Sequence, residues 1–215
     1  MKPTQTASGP AILVALMLLA CSGASKLDYG SLHQRAGWQK PEAVIEALDI
    51  EPGARVADIG AGDGYFLPYL AEAVGPEGRV FAVDVDAERV DALERRVAEA
   101  GHSNVTVVLA NFDDPLLPDA GIDLTLLCNT YHHIEERPAY FEKLLDDLDR
   151  EGRVAVIEPY EDLHGLLRLF LDEGHTSSAS AIDEEMSAAG YQRTASFDFL
   201  PIQLFEVYSM ENRGR

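Results

Sequence analysis

The stretch ADIGAGDGY, Ala57 to Tyr65, decides the fold of this chain. It follows a short apolar run, precedes a helical pattern, and carries Asp58, Gly60, Gly62 and Gly64 at alternate positions. Glycines in a strand-to-helix turn let the backbone approach a ligand closely, and the first amides of the following helix lack intrahelical partners. The stretch therefore predicts a ligand-binding turn after the first strand of an α/β fold.

The segments around this turn alternate between short apolar runs and helical patterns. Strands that are apolar almost throughout are typical of a parallel sheet covered on both faces. The predicted strands are Arg55–Ile59, Arg79–Asp84, Val105–Leu109, Ile122–Cys128 and Arg153–Glu158, and the predicted helices are Pro41–Leu48, Tyr65–Val74, Ala87–Ala100, Arg137–Leu148, Leu163–Leu171 and Ile182–Ala189. Two later strand-like runs are separated only by Leu200-Pro201, so they must be antiparallel. We expect a doubly wound, Rossmann-like α/β sheet of seven strands, mostly parallel, with an antiparallel C-terminal strand.

A second acidic position lies twenty residues beyond Gly64, where the predicted second strand ends at Asp84. A carboxylate at that strand end accepts hydrogen bonds from both hydroxyls of a ribose. The alternative role for Asp84 is a helix cap, which Asp86 supplies equally well. Together, the glycine turn and Asp84 favour a nucleoside ligand.

The spacing of the glycines disfavours NAD. The dinucleotide fingerprint needs a glycine three positions after Gly62, where this chain has Tyr65. The Asp58 carboxylate would repel a pyrophosphate, whereas it would accept hydrogen bonds from a ligand ammonium group. An NAD-dependent oxidoreductase is therefore only a third hypothesis.

The motif D-x-G-x-G-x-G, the acid after the second strand and the final antiparallel strands resemble the class I S-adenosylmethionine-dependent methyltransferases, over about residues 38–208. The chain is similar to bacterial methyltransferase-domain proteins that carry W-x-K-P, D-x-Y-H-H and F-L-P-x-Q motifs. Here these motifs read Trp38-Gln39-Lys40-Pro41, Asn129-Thr130-Tyr131-His132-His133 and Phe199-Leu200-Pro201-Ile202-Gln203. Asparagine thus replaces the expected acid at position 129.

The resemblance implies a set of residues for S-adenosylmethionine. Asp58 and the turn Gly60, Ala61, Gly62 and Gly64 would hold the methionine end, Asp84 the ribose, and Asn111 with Phe112 the adenine. Val85 and Asn129 complete the implied cofactor site. The alternative for Asn111 and Phe112 is an ordinary loop.

The candidate catalytic residues are His132 and Tyr131. Methyl transfer depends mainly on alignment of acceptor and methyl, and an oxygen or nitrogen acceptor also needs a base. Because the first and fourth strands end side by side in this fold, both residues are expected near the methyl. Alternatively they only line the cavity, while His133 caps the next helix. A metal site at His132, His133, Glu135 and Glu136 is disfavoured, because adjacent side chains on one loop rarely converge on one ion.

The N-terminal residues resemble an export signal. Lys2, polar residues and an apolar block precede Leu18-Leu19-Ala20-Cys21, which is similar to a bacterial lipobox. This predicts a signal peptide over 1–20, lipidation at Cys21, a tether and N-terminal cap over 21–39, and a methyltransferase domain over 40–210. The expected location is the bacterial cell envelope, on the outer membrane facing the periplasm, with the cytoplasm as the alternative.

The net charge of −20 restricts the partners. Such a surface repels phosphate backbones and anionic headgroups, so we expect no nucleic acid partner and membrane contact only through the lipid. The expected acceptor is a small molecule. Cys128, the other cysteine, lies in an apolar run and is predicted to be a small buried hydrophobe.

The predicted export of the protein conflicts with the predicted cofactor, because S-adenosylmethionine is made in the cytosol. Two hypotheses remain open: an active methyltransferase, and a lipid-anchored protein that keeps the fold to bind a nucleoside-like ligand or a protein partner without catalysis. Loss of cofactor would have removed at least one of the glycine turn, Asp58 and Asp84, which favours the enzyme.

Overall fold

Seven strands form one sheet in the computed structural model, which describes residues 32–118, 121–160 and 178–211. They are β1 (Arg55–Ile59), β2 (Arg79–Asp84), β3 (Val105–Leu109), β4 (Ile122–Cys128), β5 (Leu148–Pro159), β6 (Tyr191–Phe197) and β7 (Gln203–Met210). The order across the sheet is β3-β2-β1-β4-β5-β7-β6. Strands β1 to β5 are parallel, and β7 is antiparallel to both β5 and β6. The predicted doubly wound, mostly parallel sheet is confirmed.

Six described helices accompany the sheet. They are α1 (Leu32–Gln39), α2 (Pro41–Leu48), α3 (Leu67–Val74), α4 (Ala87–Ala100), α5 (Arg137–Asp147) and α6 (Ala179–Ala188), with a 3₁₀ turn at Tyr131–His133. The chain divides into two units, Met1–Trp38 and Gln39–Arg215, and the sheet belongs to the second. Within the described ranges, none of the helices combines the length and apolar character needed to cross a membrane.

The helix boundaries differ from the predicted ones. Helix α3 begins at Leu67, because Tyr65 and Phe66 still belong to the glycine turn. Leu148 pairs with Ile122 and so begins β5, a longer strand than predicted. Helix α6 begins at Ala179, where the Ser178 hydroxyl accepts a hydrogen bond from the Ala181 amide at 3.2 Å. The loop between the last two strands covers residues 198–202, and the helix predicted at 163–171 lies outside the described residues.

The sheet is covered on both faces. Alternate residues of a strand point to opposite faces, and Ala57 and Ile59 belong to the apolar cluster that includes Phe141 of α5 and Met186 of α6. Helices α3 and α4 pack against β1, β2 and β3. This double cover explains the continuous apolar runs of the inner strands.

The strand order reverses between β1 and β4, which are neighbours in the sheet although β2 and β3 intervene in sequence. In open α/β sheets, the crevice beyond the carboxyl ends of the strands at such a reversal is the usual ligand site. The glycine turn follows β1, and the turn that carries His132 follows β4. The fold therefore brings the two predicted halves of the site to one edge.

Candidate active site

The glycine turn is fixed to the end of β2. The amides of Gly60 and Ala61 donate to the Val83 carbonyl at 2.8 and 2.9 Å. Gly60, Gly62 and Gly64 have φ values of 73°, 57° and 71°, which L-residues with a Cβ adopt at a cost. The alternate glycines thus allow a turn that β2 holds in place.

A Cβ would also meet close neighbours at two of these glycines. A Cβ on Gly60 would overlap the side chain of Thr130, in the turn after β4. A Cβ on Gly64 would lie 2.9 Å from both Leu67 Cδ1 and Leu93 Cδ2, whereas the nearest atom to a Cβ on Gly62 is 3.7 Å away. The contact at Gly60 shows that the glycine turn and the turn after β4 touch each other.

Asp84 and Asp86 have separate structural roles. Asp86 caps α4, because its Oδ1 accepts hydrogen bonds from the amides of Glu88 and Arg89 at 2.8 and 3.4 Å. Asp84 is buried, and its Oδ2 accepts from the Gly62 amide at 2.9 Å while its Oδ1 accepts from the Asp86 amide at 3.0 Å. An ionised carboxylate has about four acceptor positions, so Asp84 keeps capacity for ligand hydroxyls. Asp84 is therefore not needed as the cap of α4, because Asp86 already has that role.

The remaining predicted cofactor residues lie around the same strand ends. Asp58 is buried within β1. Val85 and Phe112, which lie beyond the ends of β2 and β3, are 39% and 80% exposed. The main chain of Asn111 is paired with that of Asp114, with N···O distances of 3.0 and 3.4 Å. Exposed apolar side chains beyond β2 and β3 offer a surface on which an aromatic base can stack.

His132 and Glu158 form a buried pair beyond β4 and β5. The distance between His132 Nδ1 and Glu158 Oε2 is 2.6 Å, and the two side chains are 2% and 0% exposed. Glu158 Oε1 accepts from the Tyr131 amide at 2.8 Å, which orients the carboxylate. A carboxylate bonded to Nδ1–H fixes the imidazole tautomer in which Nε2 has the lone pair. The arrangement suits a proton acceptor held in one orientation.

Tyr131 has a different position from the one expected of a catalytic residue. It is fully buried, its ring stacks on Phe141 at a centroid distance of 5.3 Å, and its hydroxyl donates to Glu185 Oε2 at 2.7 Å. Burial, and secondly the bond to Glu185, raise the pKa of this phenol well above its usual value. A phenol whose proton is held by an internal carboxylate does not fit an acid–base role, so the placement favours packing for Tyr131.

Two further predictions need correction. The N-cap of α5 is Glu136, without a side-chain capping bond, so the predicted cap at His133 is wrong. Cys128 is only half-buried, and its Sγ accepts a hydrogen bond from Gln39 Nε2 at 2.8 Å. The thiol is thus part of a polar contact rather than a purely apolar core residue.

The three short motifs of the sequence meet in space. Lys40 Nζ donates to the Phe199 carbonyl at 2.7 Å, and Gln203 Nε2 donates to Asn129 Oδ1 at 2.9 Å. Lys40 and Asn129 both have left-handed backbones, with φ values of 43° and 56°. Non-glycine residues with such backbones concentrate at functional sites. These contacts join α2, β4 and β7 next to the His132 turn.

Sequence reasoning missed several residues of this region. Glu158 and Gln203 are fully buried polar side chains, and each lies at a strand end within an apolar run. That pattern is the same signal that identified Asp84 at the end of β2. Arg137 and Glu185, which contact the His132 turn, gave no comparable signal in the sequence.

Residues 56–152 match a family model described as a methyltransferase domain. Protein-L-isoaspartate O-methyltransferase of Ignicoccus hospitalis is 29% identical over 93 residues, which are 43% of this chain and 44% of that protein. Nocamycin O-methyltransferase of Saccharothrix syringae is 29% identical over 116 residues, which are 54% of this chain and 41% of that protein. The chain thus spans less than half the length of each of these curated relatives.

Solved structures share the fold. A SAM-dependent methyltransferase from Aquifex aeolicus superposes with a TM-score of 0.73 at 24% identity, over 85% of this chain and 98% of that chain. An O-methyltransferase from neocarzinostatin biosynthesis, in complex with S-adenosyl-L-homocysteine and 1,4-dihydroxy-2-naphthoic acid, has a TM-score of 0.66 at 20% identity, over 93% and 58% of the two chains. The chain therefore has the α/β fold of these solved methyltransferases, and its residues 56–152 match a methyltransferase domain.

Proposed function

We propose that this chain is an S-adenosylmethionine-dependent methyltransferase that methylates an oxygen nucleophile of a small molecule. One observation carries the proposal: the glycine turn and the turn bearing His132 are in contact, since a Cβ on Gly60 would overlap Thr130. The turn that carries the buried imidazole thus contacts the glycine turn at the reversal of strand order. The names of the two relatives, both O-methyltransferases, support oxygen as the acceptor atom.

The residues around the glycine turn are chemically suited to the cofactor. Asp84 would accept hydrogen bonds from the ribose hydroxyls while it holds the Gly62 amide, and Asp58 lies where an ammonium group would be favourable. The exposed Phe112 and Val85 would flank the adenine. S-adenosylmethionine, when bound, supplies an electrophilic methyl group on a sulfonium. Among the three glycines of the turn, Gly62 has the most open surroundings, so a ligand can approach the backbone closely there.

His132 is the proposed base. With its Nδ1–H donated to Glu158, the imidazole would take the acceptor's hydroxyl proton at Nε2 and so make the acceptor oxygen more nucleophilic. The Glu158 carboxylate would then stabilise the imidazolium and keep the ring oriented. Hydroxyl and phenol acceptors need such a base, whereas a thiolate acceptor does not.

Two measurements test this proposal. Calorimetric titration of the purified protein should show micromolar binding of S-adenosylmethionine and no binding of NAD. A panel of phenols and hydroxy acids, assayed with methyl-labelled cofactor, should then contain acceptors for which His132→Asn lowers kcat about 10²- to 10⁴-fold without changing cofactor affinity. His102→Asn is the matched control, because His102 precedes β3 and so lies near the amino ends of the parallel strands, whereas the candidate site lies at their carboxyl ends. No cofactor binding would favour the non-catalytic alternative, and an unaffected kcat in His132→Asn would reject the base.

We also propose that the protein acts at the cell envelope, attached through a lipid on Cys21. The support is the N-terminal sequence, with its apolar block followed by Leu18-Leu19-Ala20-Cys21. These residues lie outside the described ranges. An envelope location would require cofactor delivered from the cytosol.

A further inference from the structure

Arg137, the first residue of α5, holds the main chain of the His132 turn. Its Nε donates to the Tyr131 carbonyl at 3.1 Å, and its Nη2 reaches the His132 carbonyl at 3.5 Å. Its guanidinium also lies over the Tyr131 ring, 5.0 Å from the centroid. One side chain therefore contacts the main chain of the proposed base and of the residue before it.

Glu185 of α6 holds the other side of the same guanidinium. Arg137 Nη1 is 3.0 and 3.2 Å from its two carboxylate oxygens, and Oε2 also accepts the Tyr131 hydroxyl at 2.7 Å. Helices α5 and α6 pack against each other on this face of the sheet. The three side chains thus connect the turn after β4 to a helix that lies far away in sequence.

We propose that Arg137 and Glu185 are positioning residues: together with Tyr131 they clamp the His132 turn to α6 and so hold the imidazole in line with Glu158. This inference rests on the proposed role of His132 as the base. It assigns a function to Tyr131, whose phenol completes the clamp instead of taking part in the chemistry. Neither positioning residue touches the reacting atoms.

The contacts favour a geometric role over a contribution to global stability. The side chains of Arg137 and Glu185 are 20% and 31% exposed, and partly exposed ion pairs contribute little to the stability of folded proteins. A guanidinium, however, has five donors in a fixed plane, so its bonds to two successive carbonyls restrict the orientation of that backbone. A displacement of about 1 Å at a catalytic group costs about a hundredfold in rate.

The charged groups that face the imidazole come from three packed elements. Glu158 of β5 bonds Nδ1, His133 of the same turn lies 4.0 Å from the ring between centroids, and Arg137 begins α5. Glu185 of α6 balances the Arg137 charge. Because the clamp contains one cation and one anion, its effect on His132 is mainly orientational.

The chain provides a matched control in Arg193 of β6, which contacts the same helix α6. Arg193 Nη1 lies 3.2 Å from Asp183 of α6 and 3.3 Å from Glu206 of β7. This arginine also ties α6 to a neighbouring element, but its ion pairs lie on β6, β7 and α6 and not on the His132 turn. Arg193→Gln should therefore reproduce any loss of stability that comes from freeing α6.

The test follows the Nδ1 proton of His132 by NMR in the full chain, with the signal assigned from its absence in His132→Asn. Arg137→Gln is expected to speed exchange of this proton with solvent at least about tenfold, because a charge-assisted bond is lost. Arg193→Gln, compared at equal loss of Tm, should change it by less than about twofold. Equal exchange in the two variants would overturn the clamp.

A second pair of variants tests whether Arg137 and Glu185 act as one unit. Glu185→Gln should also speed the exchange, and the double variant should exceed Arg137→Gln by less than about twofold. Fully additive effects would contradict a shared clamp. The exchange measurement needs no acceptor, so it is separable from the proposed chemistry: if His132→Asn keeps full kcat while Arg137→Gln loosens the proton, the base is rejected and the clamp stands.

Discussion

Gly60 is the residue through which the two halves of the candidate site meet. Its amide is fixed by the Val83 carbonyl, and its missing Cβ leaves the space that Thr130 occupies. The same turn contains Gly62, whose φ is also positive but whose surroundings are open. Alanine substitution at Gly62 therefore measures the cost of a left-handed backbone alone. The same substitution at Gly60 adds the cost of the steric clash with Thr130.

Gly62→Ala should cost about 1–2 kcal/mol of the free energy of unfolding, because alanine is strained at a positive φ. Gly60→Ala should cost clearly more, since its Cβ also collides with Thr130. Thermal unfolding of both variants, with calorimetric titration of the cofactor, measures the difference. Equal loss of stability in the two variants would show that the contact with Thr130 can relax without cost.

At the scale of elements, Asp84 at the end of β2 and Asp86 at the start of α4 have different roles. Asp86 satisfies the first amides of α4, whereas Asp84 holds the glycine turn and faces the proposed ribose position. Because the carboxylates belong to different elements, substitutions should separate helix stability from cofactor binding.

Asp86→Ala should lower the free energy of unfolding by about 1 kcal/mol, the usual cost of a lost N-cap, with cofactor affinity unchanged. Asp84→Asn should weaken S-adenosylmethionine binding by about 2–4 kcal/mol, because charge-assisted bonds to the ribose are lost. Calorimetry and thermal unfolding on the same samples check both expectations. Loss of affinity in Asp86→Ala with none in Asp84→Asn would reverse the assignment.

The inner strands β1, β2 and β4 have the predicted bounds, because burial on both faces leaves a continuous apolar signature. The edge strand β3 also has the predicted bounds, although it is only partly buried. The helix ends could not be predicted, because tertiary contacts decide them: Leu148 joins the sheet through Ile122, and Tyr65 stays in the glycine turn. The contact between His132 and Glu158 could not be predicted either, because the two residues are 26 positions apart and local sequence patterns do not relate them. Local patterns identify elements, whereas contacts across elements assemble the site.

At the scale of the whole molecule, the charge limits how the protein can reach a membrane. A net charge of −20 opposes binding to anionic lipid surfaces, and no described helix has the length and hydropathy to span a bilayer. The predicted lipid at Cys21 would supply an attachment that does not depend on surface charge. One acyl chain gives only marginal, reversible binding, and stable anchoring needs more than one.

Cys21→Ala should move the protein from the membrane fraction to the aqueous fraction of expressing bacterial cells, because it removes the proposed site of acylation. Cys128→Ala is the matched control, since it removes the other cysteine without touching the N-terminal signal. A salt wash of the wild-type membranes separates the physical causes: an electrostatic attachment is released when charges are screened, and a lipid anchor is retained. If Cys21→Ala stays with the membranes as the wild type does, the lipid anchor is rejected, and the cytoplasmic alternative, where the cofactor is made, becomes the simpler setting for the methyltransferase.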